Sequence, residues 1–387
     1  MSKKVAAIVT EYRHLSHADV ILRNLLNGYP PDGTTRPDLE LLSLYTDQVP
    51  KTDMSRDLAK KHGFKICDTI AEALTLGTDK LAVEGVLSIG EHGDYKHNEK
   101  GQHLYPRRRF FEEIAKVFEK TGQSVPVFND KHLAATWDDA KWMYDRARKL
   151  LVPFLAGSSV PTAWRKPNLV LPKGCELTGA VQIGYGPVEA YGFHALEGLQ
   201  CMVERRKGGE TGVKAVTYHN AKAMWDVLDK HAWVAPILES AIELANVKDD
   251  LRAATDKEAG LFEVEYRDGL RCFVTMAGGW FEPGENGAFI FAGQLKGEAK
   301  PTACKFHLQN GEPFAHFSEL TKAIDSMMRT GHAPYPVERT LLTTGILDAV
   351  MTSRFKSGKR VETPHLDVKY QPTEWGPATS EIPKEKK

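Results

Sequence analysis

Glu91-His92-Gly93-Asp94-Tyr95-Lys96-His97 sets two carboxylates, two imidazoles and a phenol on one short stretch, and Gly90 and Gly93 let backbone come close. Three readings stay open for this run: a metal site, contacts to a polar substrate, or a solvated polar loop. A metal needs ligands converging at about 2 Å with a second layer of groups to orient them, and spacing alone does not show that. Arg13 and His14 stand just before Ser16-x-x-Asp19, a capping-box signature, so two basic groups sit at a predicted helix start, a natural place for an anion. Lys131 lies in Asn129-Asp130-Lys131-His132, directly after a predicted strand. His194 and Glu197 are three residues apart on a predicted helix and share a face. Arg107-Arg108-Arg109 reads as a solvated helix start with one stem packed on apolar surface. Gly157-Ser158-Ser159, Trp164 and Arg165 are further candidates for touching a polyhydroxylated ligand.

The elements that must position these groups change character midway. Apolar runs at 4–10, 39–45, 64–67, 83–89, 125–128 and 152–156 read as strands, and helical patterns fill the gaps between them. Strict alternation predicts an α/β unit, a Rossmann-like doubly wound parallel sheet, over residues 1–157. Ligands of such sheets bind outside the carboxyl ends of the strands, which singles out 11–17, 46–49, 90–97 and 129–132. From 158 to 335, extended segments (177–185, 213–218, 261–266, 271–276, 288–295, 302–308) mix with helical ones (194–206, 221–230, 236–245, 317–329). That pattern predicts an α+β domain with an open, mostly antiparallel sheet for substrate and oligomer contacts. Residues 336–370 read as a helix and strand packing back near the junction, and 371–387 as a tail whose last ten or so residues are disordered.

Composition narrows the function classes. Among 387 residues, 51 Lys plus Arg balance 51 Asp plus Glu, so a protein that coats nucleic acid is not expected. No apolar run approaches the roughly 20 residues that span a bilayer, and no secretory signal is seen, so the expectation is a cytoplasmic protein without membrane contact. Five scattered cysteines form no Cys-x-x-Cys pair, which argues against a disulfide framework or a zinc ribbon.

Three segments together resemble the Gfo/Idh/MocA family of glucose–fructose oxidoreductases and inositol dehydrogenases. Val127 to Ala134 with the helix after it is similar to the family's Glu-Lys-Pro motif; Tyr191-Gly192-Phe193-His194-Ala195-Leu196-Glu197 resembles its Asp-x-Gly-x-His segment; Pro334–Tyr370 resembles its C-terminal helix and strand. The resemblance implies an oxidoreductase acting on a sugar, polyol or derivative with NAD or NADP, and a homo-oligomer. It implies Lys131 and His194 as the groups handling the hydroxyl proton, Glu11, Arg13, His14, Asp47, Glu91 and His92 around the cofactor, and Tyr95, Arg165 and Tyr191 beside Lys131 and His194 at the substrate. Two departures matter. The three glycine positions of the dinucleotide fingerprint are Val9, Glu11 and His14, none of which supplies the tight turn, the close backbone approach or the helix–strand packing that glycine allows. The family's aspartate is Ala190 here. The expected cofactor site is therefore non-standard. The alternative is a non-redox lyase, isomerase or sugar-binding protein that has lost it, and a purely structural partner is a third reading.

Overall fold

The computed structural model describes residues 2–285 and 287–385. The first sheet holds six parallel strands, β1 (Lys3–Val9), β2 (Leu39–Thr46), β3 (Lys65–Cys67), β4 (Gly85–Ile89), β5 (Val127–Asp130) and β6 (Phe154–Gly157), in the order β3-β2-β1-β4-β5-β6. Five helices alternate with them: α1 (His17–Asn27), α2 (Ser55–His62), α3 (Ile70–Thr75), α4 (Arg107–Thr121) and α5 (Trp137–Lys149). Local chemistry sets their ends. Ser16, Thr69 and Thr136 each accept a backbone N–H of the helix they precede, and Gly63 and Gly122 stop α2 and α4 in the left-handed conformation. Along β1 the side chains alternate: Ala6 and Ile8 face α3 and α4, whereas Val5, Ala7 and Val9 face α1.

The second sheet has eight strands, β7 (Trp164–Lys166), β8 (Leu177–Gly184), β9 (Val213–Asn220), β10 (Gly260–Tyr266), β11 (Arg271–Met276), β12 (Phe289–Leu295), β13 (Thr302–His307) and β14 (Val361–Glu362), in the order β14-β9-β10-β11-β8-β12-β13-β7. Every pairing in it is antiparallel except β8 with β11. Helix α6 (Val188–Val203) covers one face. The other carries Val181, Ile183, Phe273 and Ile290 and is covered by α7 (Ala221–Asp229) and α8 (Val234–Ile242), with the short α9 (Leu251–Ala254) at its edge. The sheet is open at its edges, but this apolar face is not bare, so it supplies no reason of its own for a homo-oligomer. Among the described residues no helix is long and apolar enough to cross a membrane.

Two late helices tie the sheets together. α10 (His316–Thr330) returns to the first sheet and lays Leu320, Ala323, Ile324, Met327 and Met328 over Val5, Ala7 and Val9. α11 (Val337–Phe355) fits between α5, β6, α6 and β9. Its Thr344 Oγ1 accepts the Leu133 N–H at 3.2 Å, and its Asp348 accepts the Trp137 N–H at 3.0 Å and Gln102 Nε2 at 3.1 Å. One turn earlier, Arg339 donates two charge-assisted bonds to Glu204 at 2.8 and 2.5 Å, and both side chains are buried.

Three expectations need correcting. The helix bearing His194 begins at Val188, so His194 lies in its second turn rather than at its start. Arg107 is not a solvated helix start; it is fully buried, for reasons given below. The tail is held as far as it is described: Thr162 O accepts the Ala378 N–H at 3.0 Å, Trp164 Nε1 donates to Ser380 O at 2.7 Å and Gln309 Nε2 to Pro383 O at 2.5 Å. Residues 386–387 of that tail lie outside the described residues. Removing one partner of the buried Arg339–Glu204 pair strands the other charge. Arg339→Met is therefore expected to lower unfolding stability by about 3–5 kcal/mol, with part of the loss recovered in the Arg339→Met/Glu204→Gln double variant, as measured by urea titration.

Candidate active site

At the carboxyl edge of the first sheet the two central loops are joined by charge. Glu91, two residues beyond β4, receives Lys131 Nζ at 3.0 Å on Oε1 and Arg107 Nη2 on Oε2. All three side chains are buried, and Arg107 also donates to His132 Nε2 at 3.0 Å. Burial disfavours the Glu91 carboxylate, but the Lys131 and Arg107 charges outweigh it and hold Glu91 well below the usual carboxylate range. Burial, reinforced by Arg107 and Lys131, holds His132 neutral. Lys131 and His92 both adopt left-handed backbone, φ 61° and 71°, uncommon for side-chain-bearing residues and concentrated at functional sites.

The first turns of α6 face this pair. Lys131 Nζ donates a second bond to Ala190 O at 3.2 Å, and His194 is one turn further along the same helix. Ser158, just after β6, meets His194 Nδ1 at 2.6 Å and fixes the ring. Burial pushes His194 well below the ordinary imidazole value, and the Lys131 charge pushes the same way. The ring of Tyr191, 37% exposed, stands 5.9 Å from that of His194. Glu197, on the buried side of α6, accepts from Thr343, Thr340 and the Ser158 N–H, and burial raises its pKa.

A third group comes from the first helix. His17, its first residue, donates Nδ1–H to the Asp130 carboxylate at 2.6 Å. The sheet order puts β4 between β1 and β5, so this bond passes over the end of β4. The His17 ring packs edge-on to His92 at 5.2 Å and to Phe317 of α10 at 5.3 Å. Burial lowers the His92 pKa to about 4.

A dinucleotide in the ordinary pose does not fit these residues. Its pyrophosphate would lie at the start of α1. There Ser16 Oγ accepts the Asp19 N–H, the Asp19 carboxylate accepts the Leu15 N–H at 3.0 Å, and Glu11 pairs with Arg13 at 2.6 Å. Its ribose would use Asp47, which already accepts from Arg109 at 2.5 Å and from Tyr45 and Tyr95, each at 2.7 Å. Its adenine side would part the loops after β2 and β4, which Gln48 stitches together through two 2.9 Å bonds with Asp94.

The structure thus brings together Lys131, His194, Tyr191, Glu91, His92, Glu11 and Arg13 of the sequence-derived candidates. Tyr95 and Asp47 are bonded to each other at the side, and His14 is mostly exposed, 3.5 Å from Asp19. Arg165 is elsewhere: in β7 it donates to Leu169 O at 2.9 Å and contacts Cys201, so it does not reach this cleft. Residue patterns do not single out His17 or Asp130 for chemistry, and they read Arg107 as part of a basic cluster at a solvated helix start that could otherwise meet phosphate or a partner subunit. His17 falls inside the first loop that the sheet rule marks, but nothing local connects it to an aspartate 113 residues away. Among the described residues no group of three or more His, Cys, Asp or Glu is placed to hold a metal.

His92, His132, His194 and His316 are held neutral below the ordinary 6.5, and Glu91 is held charged below 4.5. For all five the unfolded chain binds the proton more tightly, so their contribution is present above those ordinary values and is lost as pH falls. Stability should decline from about pH 6.5 downward, by up to about 1.4 kcal/mol per pH unit for each histidine held neutral. Glu197, raised instead, opposes this weakly at the acid end. Denaturant unfolding at half-unit pH steps checks it; a flat profile from pH 7 to 5 would contradict the assignment.

No family model and no curated protein matches the chain by sequence. Solved structures do match it along nearly its whole length. GenD2 from gentamicin A biosynthesis, in complex with NAD, is 13% identical with a TM-score of 0.56 over 94% of this chain and 97% of its own. An oxidoreductase from Agrobacterium radiobacter, in complex with NAD+, L-tartaric acid and magnesium, is 12% identical with a TM-score of 0.56 over 94% and 98%. Myo-inositol 2-dehydrogenase from Lactobacillus plantarum is 11% identical with a TM-score of 0.54 over 94% and 99%. With its six-stranded parallel first sheet and its mostly antiparallel second sheet, the chain shares the two-sheet fold of these solved oxidoreductase and dehydrogenase structures, the fold that the resemblance in its sequence implies.

Proposed function

We propose that this protein is an enzyme acting on a small polyhydroxylated substrate of the sugar or polyol class by proton transfer, without change of redox state. The observation that carries the reading is the meeting of Lys131 and His194: the lysine bonds Ala190 O, one turn from an imidazole whose Nδ1 is tied to Ser158. An ammonium on a buried ion pair can hold a substrate hydroxyl, and a neutral, oriented imidazole can give or take its proton. Tyr191 adds an exposed aromatic face at the mouth. The redox-neutral part rests on the filled dinucleotide track, and it makes a lyase or isomerase the closest class.

A second reading, an NAD- or NADP-dependent dehydrogenase with the cofactor in a non-standard site, is favoured by the fold that GenD2 and the inositol dehydrogenase share with this chain. Native mass spectrometry of the purified protein, with calorimetric titration of NAD(H) and NADP(H), separates the two. The expected result is no co-purified dinucleotide and no binding at micromolar concentration; stoichiometric cofactor would install the dehydrogenase reading. Once turnover of any sugar or polyol is found, Lys131→Met and His194→Asn are each expected to reduce kcat by about 10²–10⁴-fold while circular dichroism stays unchanged. Activity within twofold of the parent in both variants would move the chemistry out of this cleft.

A further inference from the structure

We propose that His17, oriented by Asp130, is the base that removes a proton from carbon in this cleft, and that the substrate is a small hydroxyketone or hydroxyaldehyde whose carbonyl oxygen is received by His92. This rests on the redox-neutral reading above and specifies its substrate class and first step.

The geometry supplies each part. The buried Asp130 carboxylate takes Nδ1–H of His17 at 2.6 Å, which leaves Nε2 as the ring's lone-pair nitrogen in the neutral form; a carboxylate so placed also stabilises the imidazolium that forms. Among the described residues no group bonds His17 Nε2, and the side chain is 15% exposed, enough to meet a ligand and too little to be freely solvated. Beside it, Arg13 Nη2 lies 3.5 Å from His92 Nδ1. A guanidinium only donates, so Nδ1 accepts and the neutral ring carries its proton on Nε2. That Nε2 is buried and has no protein partner, an unsatisfied donor of the kind native structures keep for a reason. A neutral imidazole presenting N–H to a carbonyl oxygen is an established electrophile for enolisation. The two rings pack edge to face with centroids 5.2 Å apart, which sets base and donor side by side, within reach of adjacent atoms of one small ligand.

The step balances without an oxidant. The C–H bond next to the carbonyl breaks, its proton goes to His17 Nε2, and its electron pair forms the C=C bond of an enolate. The carbonyl oxygen becomes the oxyanion bonded by His92 Nε2–H, and Asp130 balances the imidazolium. Return of the proton regenerates the carbonyl compound. If the proton exchanges with solvent in between, the carbon is labelled.

Three measurements on the full chain test this. Long-range ¹H–¹⁵N spectra, assigned with His17→Gln, should show His17 protonated on Nδ1 with bare Nε2 at pH 7.5, and Asp130→Asn should change that tautomer. Diethyl pyrocarbonate labelling read by mass spectrometry should modify His17 ahead of His92 and His194, and at least tenfold more slowly in Asp130→Asn. Dihydroxyacetone, D-fructose and L-sorbose in D₂O should incorporate deuterium next to the carbonyl in at least one case, with a loss of about 10²–10⁴-fold in His17→Gln. A His17 that stays doubly protonated at pH 7.5 or resists the reagent overturns the base. Absence of deuterium from all three sugars overturns the enolisation step. Bound NAD(H) in native mass spectrometry would instead overturn the redox-neutral reading, and the first two measurements read the His17–Asp130 pair whichever way that falls.

Discussion

A carboxylate removed from water at the end of a strand must meet opposite charge or take up a proton, and Glu91 meets two cations. That requirement organises the cleft. Lys131 is drawn under the sheet edge in a left-handed conformation, Arg107 is pulled wholly inside at the start of its helix, and the loops after β4 and β5 are locked to each other. Lys131 then has a donor to spare for Ala190 O, which sets the head of α6 and with it His194. Behind α6, α11 secures the same helix through Thr340, Thr343 and Arg339. The facing of the two sheets is thus fixed by a few buried polar bonds laid over a broad apolar core.

Much of this frame was legible from residue patterns, because strand and helix signals are local. The parallel sheet, the antiparallel second sheet and the loops at the strand ends follow from periodicity and capping residues such as Ser16 and Thr136. The missing glycines at Val9, Glu11 and His14 pointed to an altered phosphate site. What stayed hidden is what depends on pairing across the chain. Arg107 reads as a surface arginine because its partner Glu91 belongs to another loop, and His17 reads as a helix-start residue because Asp130 is on another strand. The helix of His194 begins before its pattern suggests because Gly192, whose Cβ would stand 3.1 Å from the Phe262 ring, is there for close packing and not as a turn. The tail reads as polar and free, yet its backbone carbonyls serve Trp164 and Gln309.

The same architecture can carry different chemistry when the edge of its first sheet is rewritten. Here the start of α1 and the Asp47 carboxylate, where a dinucleotide in the ordinary pose would place its pyrophosphate and ribose, are already engaged by side chains of the chain itself. The Asp47–Tyr95–Arg109 group and the Gln48–Asp94 stitch make that edge a packed surface with few free donors. Arg13 and Tyr191 keep exposed surface near the carboxyl ends of β1 and β6, and His17 a smaller part.

The return of α10 to the first sheet also bears on how the chain is made. Val5, Ala7 and Val9 leave the ribosome more than 300 residues before Leu320, Ile324 and Met327, which cover them together with α1. At roughly 5–20 residues per second, that apolar face waits on the order of ten to thirty seconds for its cover after β6 is complete. The nascent chain therefore has an interval in which its first sheet is assembled but this face is only partly covered, the kind of exposure on which chaperone supply and translation speed act.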